Sequence, residues 1–368
     1  MSDTPDARVI AALRTHGGLT RHGLVSATGL SLATVNRVLT RLTKAGRVGV
    51  SGAEPSTGGR PPEVFAYNGA GQIVAGVSVS NDGATALLMT LDGTIVGREA
   101  VTFQAGDDPE ARLRHSLELI DRVVDRPEGR PAGVGVAVPG VVAGQAGTLS
   151  SIHELAWNRL ALGDLLSRHT DRPIVVDNDA NCLAVAEHRH GAGRGLANLV
   201  ALVARNGLGA GLIIDGRLYR GTHHEAGEVG YLLTQPQSLR RLFPDRGELE
   251  QLIGGERLAA EARRLGVDPS QATLPSLIGL GQVGGGARAD LAEELLDLTA
   301  LTIAAMCIVL DPEVVIIGGG ADGMAELITG VRQRLLGRIL RVPRLEAATL
   351  GADAIMIGAA SLAAEVLA

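Results

Sequence analysis

Aromatic residues are scarce in this chain of 368 residues: one Trp, three Tyr and three Phe together make up 2% of it. Because 45% of the residues are nevertheless hydrophobic, the core must be built from Ala, Val, Leu and Ile. The length is sufficient for two or three domains with substantial cores. Fifty glycines predict many tight turns.

Cysteine and long apolar runs are also scarce. Only Cys182 and Cys307 occur, far apart, which excludes a disulfide framework and fits a reducing compartment. No uninterrupted apolar run reaches the length of a membrane span. The acidic start MSDTPDARVI lacks the basic-then-apolar layout of a signal peptide. We therefore expect a cytoplasmic protein with no membrane partner.

Positive charge is in deficit overall but not at the N-terminus. Residues 1–68, called the head below, contain eight Arg and Lys against four Asp and Glu, a net charge of +4. The whole chain carries −6, so the remaining 300 residues carry −10. A basic head on an acidic body indicates a polyanionic partner, such as DNA, for the head alone.

The head has the pattern of a helix-turn-helix. A first helix over about 7–15 ends at Gly17-Gly18, a second follows Thr20, and Gly29 makes the turn to a third. Ser31 is a natural N-cap for this third helix. Helical spacing places Leu32, Val35, Leu39 and Leu42 in the core. The outer face is then small, polar and basic, as in a recognition helix that reads DNA.

A hairpin is predicted after the third helix, between Val48–Val50 and Val64–Tyr67. The connecting SGAEPSTGGRPP is a Gly/Pro/Ser loop that carries Arg60, and this is the layout of a wing. The alternative is a plain three-helix bundle with a disordered loop. The predicted DNA contacts are the following: Ser31, Thr34, Asn36, Arg37, Arg41 and Arg60.

The body contains an internal repeat. Residues 73–96 and 198–221 both indicate three strands, the last two joined by an Asp-Gly turn, at Asp92-Gly93 and Asp215-Gly216. Alternating helices and strands follow each of them. Two lobes, each with a mixed sheet and helices, are therefore predicted, with a ligand site in the cleft at the strand ends.

The motifs GVAVPG, VDNDAN, AGEVGY, GELEQLIGGE, DPEVVIIGGG and LGADAIMIGAA occur in the body in this order. With them the chain resembles the ROK family (repressors, open reading frames and sugar kinases). The head resembles that of the family's regulators through TGLSLATVNRVLTRLTKAGRV and TGGRPP. The resemblance implies an α/β protein: an N-terminal winged helix-turn-helix plus a two-lobed actin-like (ribonuclease H-like) ATPase/sugar kinase fold. The expected divisions are 1–68 for DNA binding, 72–190 for the first lobe, and 191–368 for the second lobe with a C-terminal helix.

The nucleotide side of the implied cleft is degraded. Kinases of the family carry Asp-x-Gly-Gly-Thr after the first strand, where this chain has Ser78-Val79-Ser80-Asn81-Asp82. A second loop, usually Gly-Thr-Gly, is Arg205-Asn206-Gly207. Gly318-Gly319-Gly320 remain, but they equally suit close packing of a strand on a helix. Since phosphoryl transfer needs a phosphate cradle and a metal, no kinase activity, catalytic residue, cofactor or metal is expected.

The sugar side is retained. The resemblance assigns sugar contacts to Asn178, Asp179, Glu228 and Glu250, whose amide and carboxylate groups suit vicinal hydroxyls. The alternative is that Asp177 or Asp179 caps the following helix and that the glutamates are surface acids. Tyr231 occupies the place of a family histidine that contacts the sugar and helps to bind zinc. The stretch before Glu250 has no cysteine, so the usual structural zinc site cannot form.

These observations favour a cytoplasmic, DNA-binding transcriptional regulator of carbohydrate metabolism, a repressor controlled by a small sugar or sugar phosphate. The resemblance implies a homodimer or homotetramer, which would bind a palindromic operator with two heads. Two alternatives stay open. One is a sugar kinase that also binds DNA, and the other is a ligand-blind repressor controlled by a protein partner.

Overall fold

The computed structural model describes most of the chain. The described residues are 4–53, 61–104, 106–126, 129–144, 147–150, 155–157, 159–204, 208–244 and 246–367.

The head forms three helices and a small antiparallel sheet. Its elements are α1 (Pro5–His16), β1 (Leu19–Thr20), α2 (Arg21–Thr28), α3 (Leu32–Lys44), β2 (Val48–Ala53) and β3 (Glu63–Tyr67). Both predicted caps are confirmed: the Thr20 hydroxyl accepts from Gly23 N at 3.2 Å, and that of Ser31 from Thr34 N at 3.2 Å. The predicted hairpin is confirmed as β2–β3, and the short β1 adds a third strand on β3, which the sequence did not reveal.

One core prediction for α3 was wrong. Leu32 is 42% exposed, whereas Val35, Val38, Leu39 and Leu42 are buried. Leu32 is the first residue of the helix, where the chain has just left the turn, and the buried stripe begins one turn later. Val38 takes the place in the core that Leu32 was expected to fill. An apolar side chain is thereby left at the start of the exposed face.

The first lobe is built around a five-stranded sheet of order β10-β7-β4-β5-β6. The meander β4–β5–β6 is antiparallel, and β7 and β10 add to it in parallel. Its elements are β4 (Ile73–Ser80), β5 (Gly83–Thr90), β6 (Ile95–Thr102), α4 (Pro109–Val124), β7 (Val134–Val138), β8 (Val141–Ala143), β9 (Thr148–Ser150), α5 (Leu162–His169), β10 (Ile174–Asn178) and α6 (Asp179–His190).

The second lobe repeats this plan in a sheet of order β13-β12-β11-β14-β15, which confirms the internal repeat. Asp215 and Gly216 form the β12–β13 turn with positive φ at both residues, as an Asp-Gly hairpin requires. The elements are β11 (Leu199–Ala204), β12 (Leu208–Ile214), β13 (Arg217–Tyr219), α7 (Glu248–Ile253), α8 (Gly255–Arg264), α9 (Leu274–Val283), α10 (Ala287–Leu310), β14 (Val314–Gly318), α11 (Met324–Leu335), β15 (Arg344–Ala347) and α12 (Ala354–Val366).

Helices α6 and α12 connect the two sheets. Although α6 follows a strand of the first sheet, it packs on β12, where a Cβ at Gly211 would lie 2.2 Å from Ala180 O. In contrast α12, expected with the second lobe, packs on the first sheet, and a Cβ at Gly76 would lie 1.9 Å from Met356 O. The two helices also cross closely, since a Cβ at Gly358 would lie 1.8 Å from Cys182 O. Each lobe is therefore covered by a helix from the other half of the chain.

The head is attached to the body at the C-terminal turn of α3. The side chain of Gln72 donates to Ala45 O at 2.7 Å, and that of Asn68 to Gly46 O at 3.1 Å. Asn68 N donates to Arg47 O at 2.8 Å, and the buried Arg47 guanidinium donates to Leu367 O, just beyond α12. We call these contacts the head–body joint. They connect the loop after α3 to Asn68 and Gln72, at the junction of head and body, and to Leu367, which follows α12.

Both cysteines are buried and carry free thiols. Burial raises the pKa of Cys307 to about 11 and that of Cys182 well above its ordinary value. Within the described ranges, no helix combines the length and the apolar character needed to cross a bilayer.

Candidate functional site

The start of α6 is organised by Asn178. Its Oδ1 accepts from Ala180 N at 2.8 Å and from Asn181 N at 3.2 Å, which makes Asn178 the N-cap. Its Nδ2 donates to Gly140 O at 2.9 Å, so it also ties the ends of the parallel strands β7 and β10 together. One N–H of this amide remains available for a ligand at the carboxyl edge of the sheet, where ligands bind in α/β proteins.

The alternative interpretation, in which Asp177 or Asp179 caps the helix, was wrong about which residue does so. Asp177 is 4% exposed, and its Oδ1 accepts from Asn178 N and from Asn181 Nδ2, each at 2.8 Å. Its Oδ2 is bound by Arg220 through Nε at 3.0 Å and Nη2 at 2.5 Å. Both carboxylate oxygens of Asp177 are thus engaged by neighbouring residues. Asp179 is the first residue of α6, next to the N-cap.

Asp179, Glu228 and Glu250 form a group of acids that interact electrostatically. Burial, followed by the charges of Asp179, Glu250 and Glu225, raises the pKa of Glu228 to about 7. Such an effect requires the carboxylates to be near one another in a poorly solvated place. Asp179, Glu228 and Glu250, three of the four predicted carboxylate and amide residues, therefore lie near one another. The fourth, Asn178, directly precedes Asp179 in the chain. At neutral pH Glu228 exists in both protonation states and can both donate to and accept from a hydroxyl.

Tyr231 and Glu250 are placed by a close contact between two backbone segments. A Cβ at Gly247, just before α7, would lie 2.1 Å from Gly230 O, so only glycine fits there. A Cβ at Gly230 would lie 3.1 Å from Glu250 Oε2. Tyr231, the residue after Gly230, is 40% exposed. Below, the candidate sugar site means Asn178, Asp179, Glu228, Tyr231 and Glu250.

Glu248 is a structural residue of this region that the sequence prediction missed. It is buried, and its carboxylate accepts from Ser238 Oγ at 2.5 Å and from Thr234 N at 2.7 Å. These hydrogen bonds lower the pKa of Glu248, so it is charged at neutral pH. The carboxylate holds the segment that follows Tyr231 against α7. The GELE motif contained the signal, because it offers two acids and only the second was predicted to have a role.

The predicted first loop of the nucleotide side is the turn of the β4–β5 hairpin. Ser80 pairs with Gly83 across a two-residue turn, and the Ser80 hydroxyl is engaged with Gly83 O at 3.3 Å and Asp82 N at 3.4 Å. The stretch Ser78–Asp82 is therefore a tight hairpin whose hydroxyl is occupied internally. The predicted second loop, Arg205-Asn206-Gly207, lies outside the described residues. Gly319 and Gly320 adopt positive φ after β14, which favours glycine whether or not a nucleotide binds.

No group of three or more His, Cys, Asp and Glu in the described part of the chain is arranged to hold a metal ion. His224 adopts a positive φ of 63° and belongs to the loop between β13 and Glu228. The adjacent His223 is exposed.

The predicted DNA-contact residues lie on one side of α3, with one departure and one omission. Asn36, Arg37 and the cap Ser31 are exposed, and Thr34 is half-buried because its hydroxyl packs against that of Ser31 at 2.9 Å. Arg41 is exposed but forms a two-point ion pair with Asp6 of α1. This pair links α3 to α1 while the Arg41 side chain stays 58% exposed. Arg60 lies outside the described residues.

The relatives of this chain include both a repressor and a sugar kinase. A xylose repressor of Caldicellulosiruptor bescii is 28% identical over 312 residues, covering 81% of this chain and 78% of that protein. An N-acetyl-D-glucosamine kinase of Escherichia coli strain CFT073 is 31% identical over 269 residues, covering 70% of this chain and 88% of the kinase. The repressor match is the longer of the two, by 43 residues (312 against 269).

The similar solved structures likewise include both a regulator and a sugar kinase. The structure of a ROK family transcriptional regulator, described as a homologue of the E. coli MLC protein, aligns with a TM-score of 0.83 at 22% identity, over 98% of this chain and 96% of that chain. A ROK glucokinase from Streptomyces griseus, in complex with glucose and AMPPNP, aligns with a TM-score of 0.65 at 25% identity, over 80% of this chain and 99% of that chain. The ROK family model matches residues 74–366, nearly the whole body, and the chain therefore belongs to the ROK family.

Proposed function

We propose that this chain is a sugar-responsive, DNA-binding transcriptional repressor of carbohydrate-metabolism genes that lacks kinase activity. The observation that carries the proposal is the head itself. A helix-turn-helix with an exposed third helix is joined directly to a body of a sugar-binding family, and the regulator of known structure matches both parts together. A kinase needs no such head.

The head has the topology of a winged helix-turn-helix. Helices α2 and α3 form the helix-turn-helix around Gly29, and β1, β3 and β2 form a three-stranded sheet beside it. In such domains the second helix of the motif enters the major groove with its N-terminal residues at base edges. Here those residues are Ser31 through Arg37. Arg37 is exposed and has no acidic partner among the described residues, in contrast to Arg41, so it is free to contact DNA.

A sugar is the ligand that the chemistry of the candidate site supports. Glu228 can donate and accept at neutral pH, Asp179 and Glu250 accept, and Asn178 retains a donor, which matches a set of vicinal hydroxyls. The relatives include a xylose repressor and an N-acetyl-D-glucosamine kinase, so D-xylose, N-acetyl-D-glucosamine and D-glucose are the first sugars to test.

A continuous set of contacts connects the candidate sugar site to the head. Asp179 begins α6, α6 crosses α12 in close contact, and the residue after α12 accepts the hydrogen bond from Arg47 in the head–body joint. A sugar that binds one lobe arrangement more tightly would shift the population of head positions by its differential affinity. A tenfold difference in affinity corresponds to about 1.4 kcal/mol.

The DNA half of the proposal is tested by selecting binding sites from random DNA with the full chain, with and without each of the three sugars. Two-fold symmetric sites that are released by one of the sugars are the expected outcome. Arg338→Ala, which changes an exposed arginine of the body, is the matched control for head variants. Failure to enrich any sequence would refute the DNA-binding proposal. Enrichment without a response to any sugar would favour a repressor controlled by a protein partner.

A sugar kinase is the second candidate, because the acid group at the start of α6 is retained and kinases are among the relatives. The tight hairpin at Ser78–Asp82 argues against it. Incubation with ATP, magnesium and a broad sugar panel is expected to give no turnover above an Asp179→Ala control. Turnover above that control would establish a kinase.

A further inference from the structure

The ion pair between Asp177 and Arg220 joins the two sheets beside the candidate sugar site. Asp177 is in β10 of the first sheet, and Arg220 directly follows β13 of the second. The Arg220 Nε and Nη2 atoms lie 3.0 and 2.5 Å from the same Oδ2 atom. The other carboxylate oxygen is bound by Asn178 N and by the side chain of Asn181 in the first turn of α6. One buried carboxylate therefore connects the site's helix cap to the second lobe.

Arg220 is also the first residue of the segment that carries Glu225 and Glu228. Its own carbonyl accepts from Ala226 N at 3.1 Å, which closes the segment into a compact loop. The far end of the loop is fixed by Gly227, whose carbonyl accepts from Ala210 N at 2.9 Å and whose Cβ position would lie 1.8 Å from Ala210 O. The loop is thus held at one end by β12 and at the other by Asp177.

Stability alone does not account for this pair. Removing the Asp177 carboxylate from solvent offsets much of its attraction to Arg220, whose side chain is 33% exposed, so the pair is weak evidence for stabilisation. What the pair does determine is position, because guanidinium and carboxylate groups bind in a narrow range of geometries. The pair ties the second-sheet loop that carries Glu228 to the strand end that precedes Asp179.

We propose that Arg220 is a positioning residue of the candidate sugar site: by clamping the 220–228 loop onto Asp177, it holds Glu228 opposite Asp179. This inference rests on the proposed sugar-binding function. It adds a residue 43 positions from Asp177 to the determinants of that site. Arg220 itself makes its charged contact with Asp177 and acts on the ligand only through Glu228.

A ligand-free experiment tests the placement of Glu228. The groups that face Glu228 are Asp179 on α6, Glu250 on α7 and Glu225 on its own loop. The pH dependence of thermal stability between pH 5 and 8 is measured for the wild type and for Arg220→Gln, each with and without Glu228→Gln. In each background, the difference in stability between the protein with Glu228 and its Glu228→Gln variant isolates the titration of Glu228 from that of the unpaired Asp177.

The sign of the change in the pKa of Glu228 distinguishes a positioning role of Arg220 from an effect of its positive charge alone. If Arg220 positions the loop, its loss lets Glu228 move into solvent and away from Asp179, so the pKa of Glu228 falls and its pH-dependent difference shrinks. If Arg220 contributed only its positive charge, its loss would raise the pKa of Glu228 and enlarge that difference. Arg220→Lys, which can keep one contact to Oδ2, is expected to restore most of the wild-type behaviour. An unchanged or enlarged difference in Arg220→Gln would overturn the proposal. Asp177→Asn, a second clamp variant, is measured in the same way if Arg220→Gln does not fold.

A ligand experiment separates this inference from the proposed function. Isothermal titration with D-xylose, D-glucose and N-acetyl-D-glucosamine is carried out on the wild type, Arg220→Gln, Arg220→Lys and Asp179→Ala. For a sugar that binds the wild type, Arg220→Gln is expected to weaken affinity at least tenfold and Arg220→Lys to recover it. Loss of binding in Asp179→Ala with normal binding in Arg220→Gln would overturn the positioning role alone. Normal binding in both would overturn the site itself. If none of the three sugars binds, the ligand-free measurement decides.

Discussion

Replacing Glu228 by glutamine removes an ionisable group from the candidate sugar site and keeps the size of the side chain. In the folded protein, burial and the charges of Asp179, Glu250 and Glu225 raise the pKa of Glu228 to about 7. In the unfolded chain the carboxyl has its ordinary pKa, near 4.3. The folded state therefore holds a proton that the unfolded chain has already released over the intervening pH range.

The sign of the effect follows from this difference. Because the folded pKa is the higher one, the contribution of Glu228 to stability is fully present below about pH 4.3 and is lost as the pH rises towards 7. A pKa difference of this size corresponds to at most about 3–4 kcal/mol, at 1.36 kcal/mol for each pH unit. Since Glu228 keeps some access to solvent, we expect about 1–3 kcal/mol. Glu228→Gln should abolish this loss and be more stable than the wild type at pH 8.

The assay is thermal denaturation of both proteins from pH 5 to 8. In a domain of 150–250 residues 1 kcal/mol shifts the midpoint by roughly 2–4 °C, so a gap of a few degrees should open as the pH rises. Glu326→Gln, which changes an exposed carboxylate on α11, is the control and should follow the wild type. Asp179→Asn should move the wild-type transition to lower pH, because it removes the charge that raises the pKa of Glu228 most. Parallel midpoints for wild type and Glu228→Gln would refute the reasoning.

Three further predictions concern binding and its control. Asp179→Ala removes a charged acceptor of sugar hydroxyls, which should cost on the order of 1.5–3 kcal/mol, and titration calorimetry should show at least a tenfold loss of sugar affinity with normal affinity for DNA; equal sugar affinity would place the site elsewhere. Arg37→Ala should relax specificity at one operator position if the side chain reads a base, or weaken binding to all sequences alike if it contacts phosphate. Arg60→Ala should weaken binding to A·T-flanked sites most. Selection of binding sites from random DNA distinguishes these results. Arg47→Met breaks the contact to Leu367 in the head–body joint, so it should leave sugar affinity unchanged and reduce the sugar-induced change in operator affinity, as measured by fluorescence anisotropy; an undiminished response would exclude the joint as the route of control.

The local elements of this protein can be predicted from the sequence because their causes lie within a few residues. Ser31 and Thr20 accept hydrogen bonds from amides three positions away, and Asp215-Gly216 forms a turn that requires positive φ at both residues. The internal repeat follows from two such turns at matching places. The members of the sugar site were predicted through motifs, and the interaction of Glu228 with Asp179 and Glu250 agrees with that grouping.

The roles of the remaining residues depend on partners that are distant in the sequence, and only the tertiary structure decides them. The sequence allowed Asp177 as a helix cap, whereas the structure pairs its carboxylate with Arg220. The ion pair between Arg41 and Asp6, 35 positions apart, is likewise not visible in the sequence pattern. Likewise α12 reads as part of the second lobe, yet it packs on the first sheet because glycine at position 76 admits its backbone. A buried charge or a close backbone contact depends on what lies opposite, and spacing along the chain does not encode that.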